Sequence, residues 1–331
     1  MTHIIFDEQR IELEEGQTVL SALLERDHDI ANSCRVGVCQ SCLLQAVDGE
    51  VPESAQVGLK DTLKVQGYFL ACSCKPETPL HVVKANDTDL YHSATVIEHE
   101  LLGSDILRLR LKPEHMFEYR AGQFVTLWKT QSLGRSYSLA SVAELDDSLE
   151  LHIRRIPGGQ LSNWLHDEVK VGNSLQLQSA TGNCFYIPGS AEQKILLAGT
   201  GTGLAPLIGI ARDALRQRHS GEIHLIHGTV QKEDLYLHQT LLDMAKQNEQ
   251  FHYYANVLRL NEQQVPDNAN SIIRSLPLEQ QVTEIAVQPA EWKAYLCGDE
   301  SIVNSLKKKL FISGFNMKNI YTDPFVISTD V

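Results

Sequence analysis

Three textures of apolar and polar positions follow one another along the chain. Near the N-terminus, Ile4-Ile5-Phe6 and Ile11-Glu12-Leu13 read as the short strands of a hairpin. Residues 18–26 place Val19, Leu20, Leu23 and Leu24 at helical spacing, and residues 43–47 and 80–83 add further strands. This predicts a small sheet with one helix packed on it. From Ala94 the pattern becomes short apolar segments separated by turn residues, at 95–98, 106–111, 123–128, 137–139, 149–154 and 175–177, which predicts an antiparallel barrel. From Lys194 strands and helices alternate: strand 195–198, a glycine loop, helix 206–218, strand 223–227, helix 235–248, strand 252–257, strand 294–297 and helix 302–311. That alternation predicts a parallel α/β sheet. The polar, aperiodic stretch Asn86 to His92 reads as a linker, so domains are expected at 1–90, 93–190 and 191–331.

Length and composition agree with a multidomain enzyme: 331 residues, 43% apolar and 21% charged, with 21 glycines and 11 prolines, excluding a disordered or collagenous chain. The net charge of −13 disfavours nucleic acid or an anionic membrane as partner. Residues 1–90 carry 15 acidic against 7 basic side chains, a net −8, so the acidity is concentrated at the N-terminal end and suits a basic protein surface. The longest uncharged run, 195–211, has 17 residues with four glycines and a proline. It falls short of the roughly 20 residues of a membrane span. The N-terminus lacks the basic and apolar regions of a signal peptide, so a cytoplasmic protein is expected. Its seven cysteines then need an explanation other than disulfides.

Cys34, Cys39 and Cys42 have the C-x4-C-x2-C spacing, and a further cysteine downstream completes the four thiolates of a plant-type [2Fe–2S] site. Zinc sites usually pair C-x2-4-C units, and here one pair member is missing on the far side. Cys72 and Cys74 both stand at the right place for the fourth ligand. Small residues such as Gly37 and Ser41 let loop amides turn toward the sulfurs. Arg135, Tyr137 and Ser138 follow a barrel strand and suit a flavin nucleotide: an arginine clamps pyrophosphate, a tyrosine lies on the ring face, and a serine bonds a ring nitrogen. Arg154, Gly159 and Ser162 precede or open a short helix whose amides suit phosphate, the alternative being a surface turn capped by Ser162. Gly199, Thr200 and Gly201 follow an apolar strand and open a helix, which suits a dinucleotide pyrophosphate, although the spacing is not G-x-G-x-x-G. Cys297 and Gly298 stand at the C-terminal edge of the last predicted strand, where α/β sheets bind ligands; a buried core thiol is the other reading.

In order and spelling these motifs resemble the ferredoxin–NAD(P)H reductase superfamily. Within it, the chain is similar to the iron–sulfur flavoprotein reductase components of bacterial multicomponent oxygenases, of the benzoate dioxygenase and phenol hydroxylase type. The resemblance covers essentially the whole chain. It implies a multidomain α+β and α/β protein with a β-grasp plant-type ferredoxin domain, an antiparallel β-barrel flavin domain and a parallel α/β nicotinamide-binding domain. It favours Cys72 as the fourth ligand, through Leu70-Ala71-Cys72, leaving Cys74 spare. It gives Arg135, Tyr137 and Ser138 to the flavin, with Arg154, Gly159 and Ser162 at its phosphates. Gly199, Thr200, Gly201 and Asp234 go to the nucleotide, and Cys297 with Gly298 to the nicotinamide. Ser138 and Cys297 are the expected catalytic positions, and Phe325, in the ending Tyr321-Thr-Asp323-Pro-Phe325, is expected to cover the flavin. Gln40 replaces a usual glycine, Asp299-Glu300 replaces the usual Pro-Pro, and six residues follow Phe325.

The implied chemistry is hydride transfer from NADH to FAD, then single electrons through the [2Fe–2S] cluster to a protein acceptor. FAD is inferred from the domain order. NADH is favoured over NADPH because the loop 227–234 sets one lysine beside two acids, poor company for a 2′-phosphate. The acceptor is an oxygenase component or a ferredoxin with a basic docking face, and electron exit is expected near Arg35 to Ser41. An iron–sulfur dehydrase of deoxysugar synthesis is an alternative acceptor, and a non-catalytic redox sensor is the reading from a different class.

Overall fold

The computed structural model describes residues 2–59, 61–84, 91–130, 132–260 and 272–326. At the N-terminal end β1 (His3–Phe6) and β2 (Gln9–Glu12) form the expected hairpin. Helix α1 (Val19–Leu24) starts at Thr18, whose hydroxyl accepts from the Ser21 amide, and it buries Val19, Leu20 and Leu23. After β3 (Leu43–Asp48) come α2 (Asp61–Val65), β4 (Tyr68–Leu70) and β5 (Leu80–Lys84). The sheet order is β2-β1-β5-β3-β4, with β1 parallel to β5 and the other pairs antiparallel. Sequence periodicity misses β4 because all three of its residues are buried, leaving no alternation to read.

The second sheet comprises β6 (Tyr91–Leu101), β7 (Ile106–Pro113), β8 (Phe124–Trp128), β9 (Gly134–Ser138), β10 (Leu149–Arg154) and β11 (Ser174–Gln178), with α3 (Gln160–Asp167) before the last strand. Its order is β10-β7-β6-β11-β8-β9, every pair is antiparallel, and a bridge from Leu139 to Leu151 closes it into the expected barrel. Two boundaries move. Of the expected linker, residues 86–90 lie outside the described residues, but Tyr91 and His92 already belong to β6. Tyr91 pairs with Gln178 and meets the Trp128 ring edge-on, so packing extends the strand. Strand β9 starts at Gly134 rather than Tyr137, because it pairs on the Trp128 ring face, where a Cβ would come within 2.5 Å.

The third sheet contains β12 (Lys194–Thr200), β13 (Ile223–Thr229), β14 (Phe251–Val257), β15 (Ile273–Arg274), β16 (Trp292–Asp299) and β17 (Ile320–Phe325) in the order β15-β14-β13-β12-β16-β17, all pairs parallel. Its helices are α4 (Leu204–Arg216), α5 (His238–Gln247), α6 (Leu278–Ile285) and α7 (Glu300–Ser313). Alternate residues of β12 serve two cores, Leu197 packing with Leu207 and Leu225, and Leu196 with Trp292 and Leu306, so both faces of the sheet are covered. Helix α5 begins later than its apolar pattern because Leu237 holds a left-handed φ of 56° immediately before it. No helix among the described residues is long and apolar enough to cross a membrane.

Candidate functional site

Four of the five N-terminal cysteines converge. Cys34 meets Cys39, and Cys42 meets Cys72, as two thiol pairs in hydrogen-bond contact, which is the two-plus-two arrangement of terminal ligands that a two-iron core requires. The backbone is wound to serve them: Arg35, Gly37 and Gln40 all have positive φ. This winding aims the amides of Val36 and Cys39 at the Cys34 sulfur (3.5 and 3.3 Å) and the amide of Cys72 at the Cys42 sulfur (3.4 Å). The hydrogen bond from Cys39 holds Cys34 down at about 5, and that from Cys42 holds Cys72 at about 7, while the donating partners are pushed upward. Gly37 is required by space as well as φ, since a Cβ would lie 2.5 Å from the Ser73 hydroxyl oxygen. Cys74 lies apart in the apolar core, its thiol pushed up to about 12 by burial. The donor set therefore fits a [2Fe–2S] cluster on Cys34, Cys39, Cys42 and Cys72.

A cavity of about 1250 Å³ is lined by all three sheets' loops. Drug-sized ligands take roughly 300–1,000 Å³, so this volume suits something larger. From the barrel come Arg135, Tyr137, Ser138, Arg154, Gly159 and Ser162; from the parallel sheet Thr200, Gly201 and Phe325; from the cysteine loop Cys34, Val36, Val38 and Cys39. Arg135 spends one N–H on the Gly134 carbonyl (2.8 Å) and has no carboxylate partner among the described residues, leaving donors for an anion. Arg154 pairs with Asp105 at 3.1 Å and reaches over Gly201, whose Cβ would stand 3.3 Å from its guanidinium. It thus sits between the barrel's phosphate-type site and the glycine loop. Ser162 Oγ accepts from the Ile156 amide (3.2 Å), and a Cβ on Gly159 would come within 2.5 Å of it. Burial keeps the Tyr137 phenol protonated. These residues fit a flavin nucleotide by donor chemistry and by volume.

The glycine loop is set by close backbone approach. Gly199 pairs with Cys297 across β12 and β16, and a Cβ on Gly199 or Gly203 would meet the Cys297 carbonyl oxygen at 2.6 or 2.4 Å. Gly298, at φ 118°, presses on Thr200 in the same way. Gly199, Cys297 and Gly298 therefore lie behind the cavity wall, while Thr200 and Gly201 form it. His227, fully buried and held near 4 by burial, bonds the Gly201 carbonyl through Nε2 (3.1 Å), fastening the loop from below. The crevice lies at the C-terminal ends of the parallel strands, with the N-terminus of α4 beside it.

Some partners were not legible in the sequence. Ser138 donates to the Asp323 carboxylate at 2.7 Å across 185 positions. Burial raises Asp323 to about 6. Cys297 lies 3.6 Å from Cys184, sulfur to sulfur, and burial pushes its thiol well up. Asp234 is not brought to the cavity: its carboxylate accepts from the Gln231 amide (3.1 Å) as part of a capping box. The cysteine loop, where electron exit is expected, borders the cavity while its Val36 and Val38 stay largely exposed. At the opposite end of the parallel sheet Glu222, His224 and His252 gather, but Glu222 is paired with Lys194 at 2.8 Å.

Comparisons with known proteins match three successive parts of the chain. Residues 4–77 match the family described as 2Fe-2S iron-sulfur cluster binding domain, residues 93–186 the oxidoreductase FAD-binding domain, and residues 197–308 the oxidoreductase NAD-binding domain. The chain is 32% identical to the reductase subunit of an aromatic O-demethylase from Amycolatopsis sp., over 96% of each chain. It is 29% identical to the ferredoxin–NAD(P)(+) reductase component of a naphthalene 1,2-dioxygenase system from Pseudomonas putida, over 94% of each. Among solved structures it is similar to an Amycolatopsis cytochrome P450 reductase, with 30% identity, a TM-score of 0.68, and 98% of this chain and 99% of that one covered.

Proposed function

The chain belongs to the ferredoxin–NAD(P)H reductase superfamily, as an iron–sulfur flavoprotein oxidoreductase with cluster, FAD and NAD domains, and on that premise we propose that it carries electrons from NADH to the oxygenase component of a multicomponent oxygenase. A bound flavin would supply conversion of two-electron to one-electron chemistry, and a cluster held by Cys34, Cys39, Cys42 and Cys72 would supply a one-electron relay. The chain's own residues position these groups. Arg135 and Arg154 would take the flavin phosphates, Tyr137 and Phe325 would hold the ring, and Ser138, oriented by Asp323, would offer its hydroxyl oxygen to it. Thr200 and Gly201 would receive the nucleotide pyrophosphate, and Cys297, a neutral thiol behind the cavity wall, would back the nicotinamide site. The reading divides the chain at 1–90, 93–190 and 191–331.

The observation carrying this reading is the shared cavity, in which the ligand-cysteine loop, the barrel residues and the glycine loop meet. Electrons therefore arrive through the cysteine loop, and the acceptor docks elsewhere on the acidic N-terminal domain, through a basic face of its own. NADH reduction of cytochrome c tests the path: Cys72→Ser is expected to abolish it while NADH still bleaches the flavin, and unaltered cytochrome c reduction in that variant overturns the reading. Turnover with the oxygenase is expected to weaken with salt, and salt-insensitive turnover removes the basic docking face. A lower KM for NADPH than for NADH overturns the choice of nucleotide.

A further inference from the structure

Gln40 holds a left-handed φ of 58° inside the loop that carries three of the four ligand cysteines, a conformation that disfavours any residue with a Cβ. Its side chain leaves that loop. Nε2 donates to the Gly58 carbonyl of its own domain (3.1 Å) and to Oγ1 of Thr181, beyond the last barrel strand (3.3 Å). A primary amide has two N–H donors, so both bonds form at once, the first setting the direction of the second. Thr181 is a firm anchor, because its amide and carbonyl both bond Phe124 at the start of β8, each at 2.9 Å. Phe124 and the next two residues, Gly182 and Asn183, line the shared cavity. On the loop's side the apolar residues facing that cavity, Val36 and Val38, remain 65% and 54% exposed, so apolar packing holds the loop weakly.

We propose that Gln40 is a positioning residue whose bond to Thr181 latches the cysteine loop onto the flavin barrel and sets the distance over which electrons pass from flavin to cluster. The inference rests on the electron path proposed above. The step moves one electron with no bond made or broken, and its rate falls steeply with separation, so a latch of this kind acts on transfer without touching hydride chemistry. The two contacts of the Gln40 amide offset the cost of the left-handed backbone it holds.

The test compares Gln40→Gly, Thr181→Val and Thr181→Ser in the full-length holoprotein. Amide hydrogen exchange is read at residues 35–41 and 181–184, and anaerobic stopped flow reads the flavin and cluster absorbances separately. Gln40→Gly relieves the backbone and is expected to leave thermal stability undiminished, yet to raise exchange in both segments and slow the flavin-to-cluster step by about threefold or more, with the NADH-to-flavin step unchanged. Thr181→Val is expected to do the same, and Thr181→Ser, which keeps the hydroxyl, to behave as wild type. Wild-type exchange and transfer rates in both Gln40→Gly and Thr181→Val overturn the latch. If Gln40→Gly loads its cluster poorly, Thr181→Val, remote from the ligands, decides. If NADH never reduces the wild-type cluster, the electron path itself is wrong, and hydrogen exchange alone then judges the contact.

Discussion

Gly203→Ala isolates one steric contact from every other property of the glycine loop. Gly203 has φ −58° and ψ −13°, which alanine adopts freely, so no backbone strain enters. Its added Cβ would stand 2.4 Å from the Cys297 carbonyl oxygen, 2.6 Å from the carbonyl carbon and 2.8 Å from the Gly298 Cα. All three are main-chain atoms and cannot swing aside. Restoring a 3.0 Å approach requires about 0.6 Å of movement between the glycine loop and the end of β16, the range in which overpacking costs about 1–3 kcal/mol. A 1 Å misplacement of reacting groups costs up to about 100-fold in rate, so roughly half that shift corresponds to about tenfold, or about 1.4 kcal/mol of barrier. Gly228→Ala is the control, since its Cβ first meets Thr200 Cγ2 at 3.2 Å and Leu278 Cδ2 at 3.3 Å, side-chain ends that can yield. Anaerobic stopped flow at the flavin absorbance is expected to show NADH-driven reduction slowed about tenfold in Gly203→Ala and about twofold or less in Gly228→Ala. Wild-type reduction in Gly203→Ala, at unchanged NADH affinity, refutes the claim that this backbone contact sets the hydride geometry.

Three further outcomes follow from the same geometry. Cys72→Ser is expected to lose bound iron and Cys74→Ser to keep it, measured by iron content and visible absorbance; the reverse pattern reassigns the fourth ligand. His227→Phe removes the bond to the Gly201 carbonyl and is expected to raise KM for NADH about threefold to tenfold with little change in kcat, and a kcat effect alone contradicts the fastening role. Because burial raises Asp323 to about 6 from an ordinary 3.8, the folded protein holds a proton that the unfolded chain has released between these values. Its contribution to stability is full below pH 4 and lost as pH rises through 6. The Tm of wild type relative to Asp323→Asn is therefore expected to fall between pH 4 and 7 and level off above, and a pH-independent difference removes the assigned shift.

The cysteine spacing, the glycine loop and Arg135-Ser-Tyr137-Ser138 were legible because each chemistry is written in adjacent residues. A cluster loop or a strand-to-helix phosphate turn is built within about ten positions, and the residue types that serve it are few. Strands with a buried and an exposed face were legible for the same reason. Wholly buried β4 was not, and polar β9 was legible only at its Tyr137 end, since neither alternates. Asp234 shows a local demand instead: its carboxylate caps its own turn, and it does not line the cavity.

What the chain's order of residues determined by itself was the kind of chemistry in each third: an iron–sulfur, an FAD-binding and an NAD-binding part. What only tertiary structure decided was how these meet. Ser138 found Asp323 across 185 positions, Cys297 found Cys184 across 113, and Gln40 found Thr181 across 141. Contacts at such separation leave no periodic or spacing signal, because their geometry exists only once the three sheets have packed around one cavity.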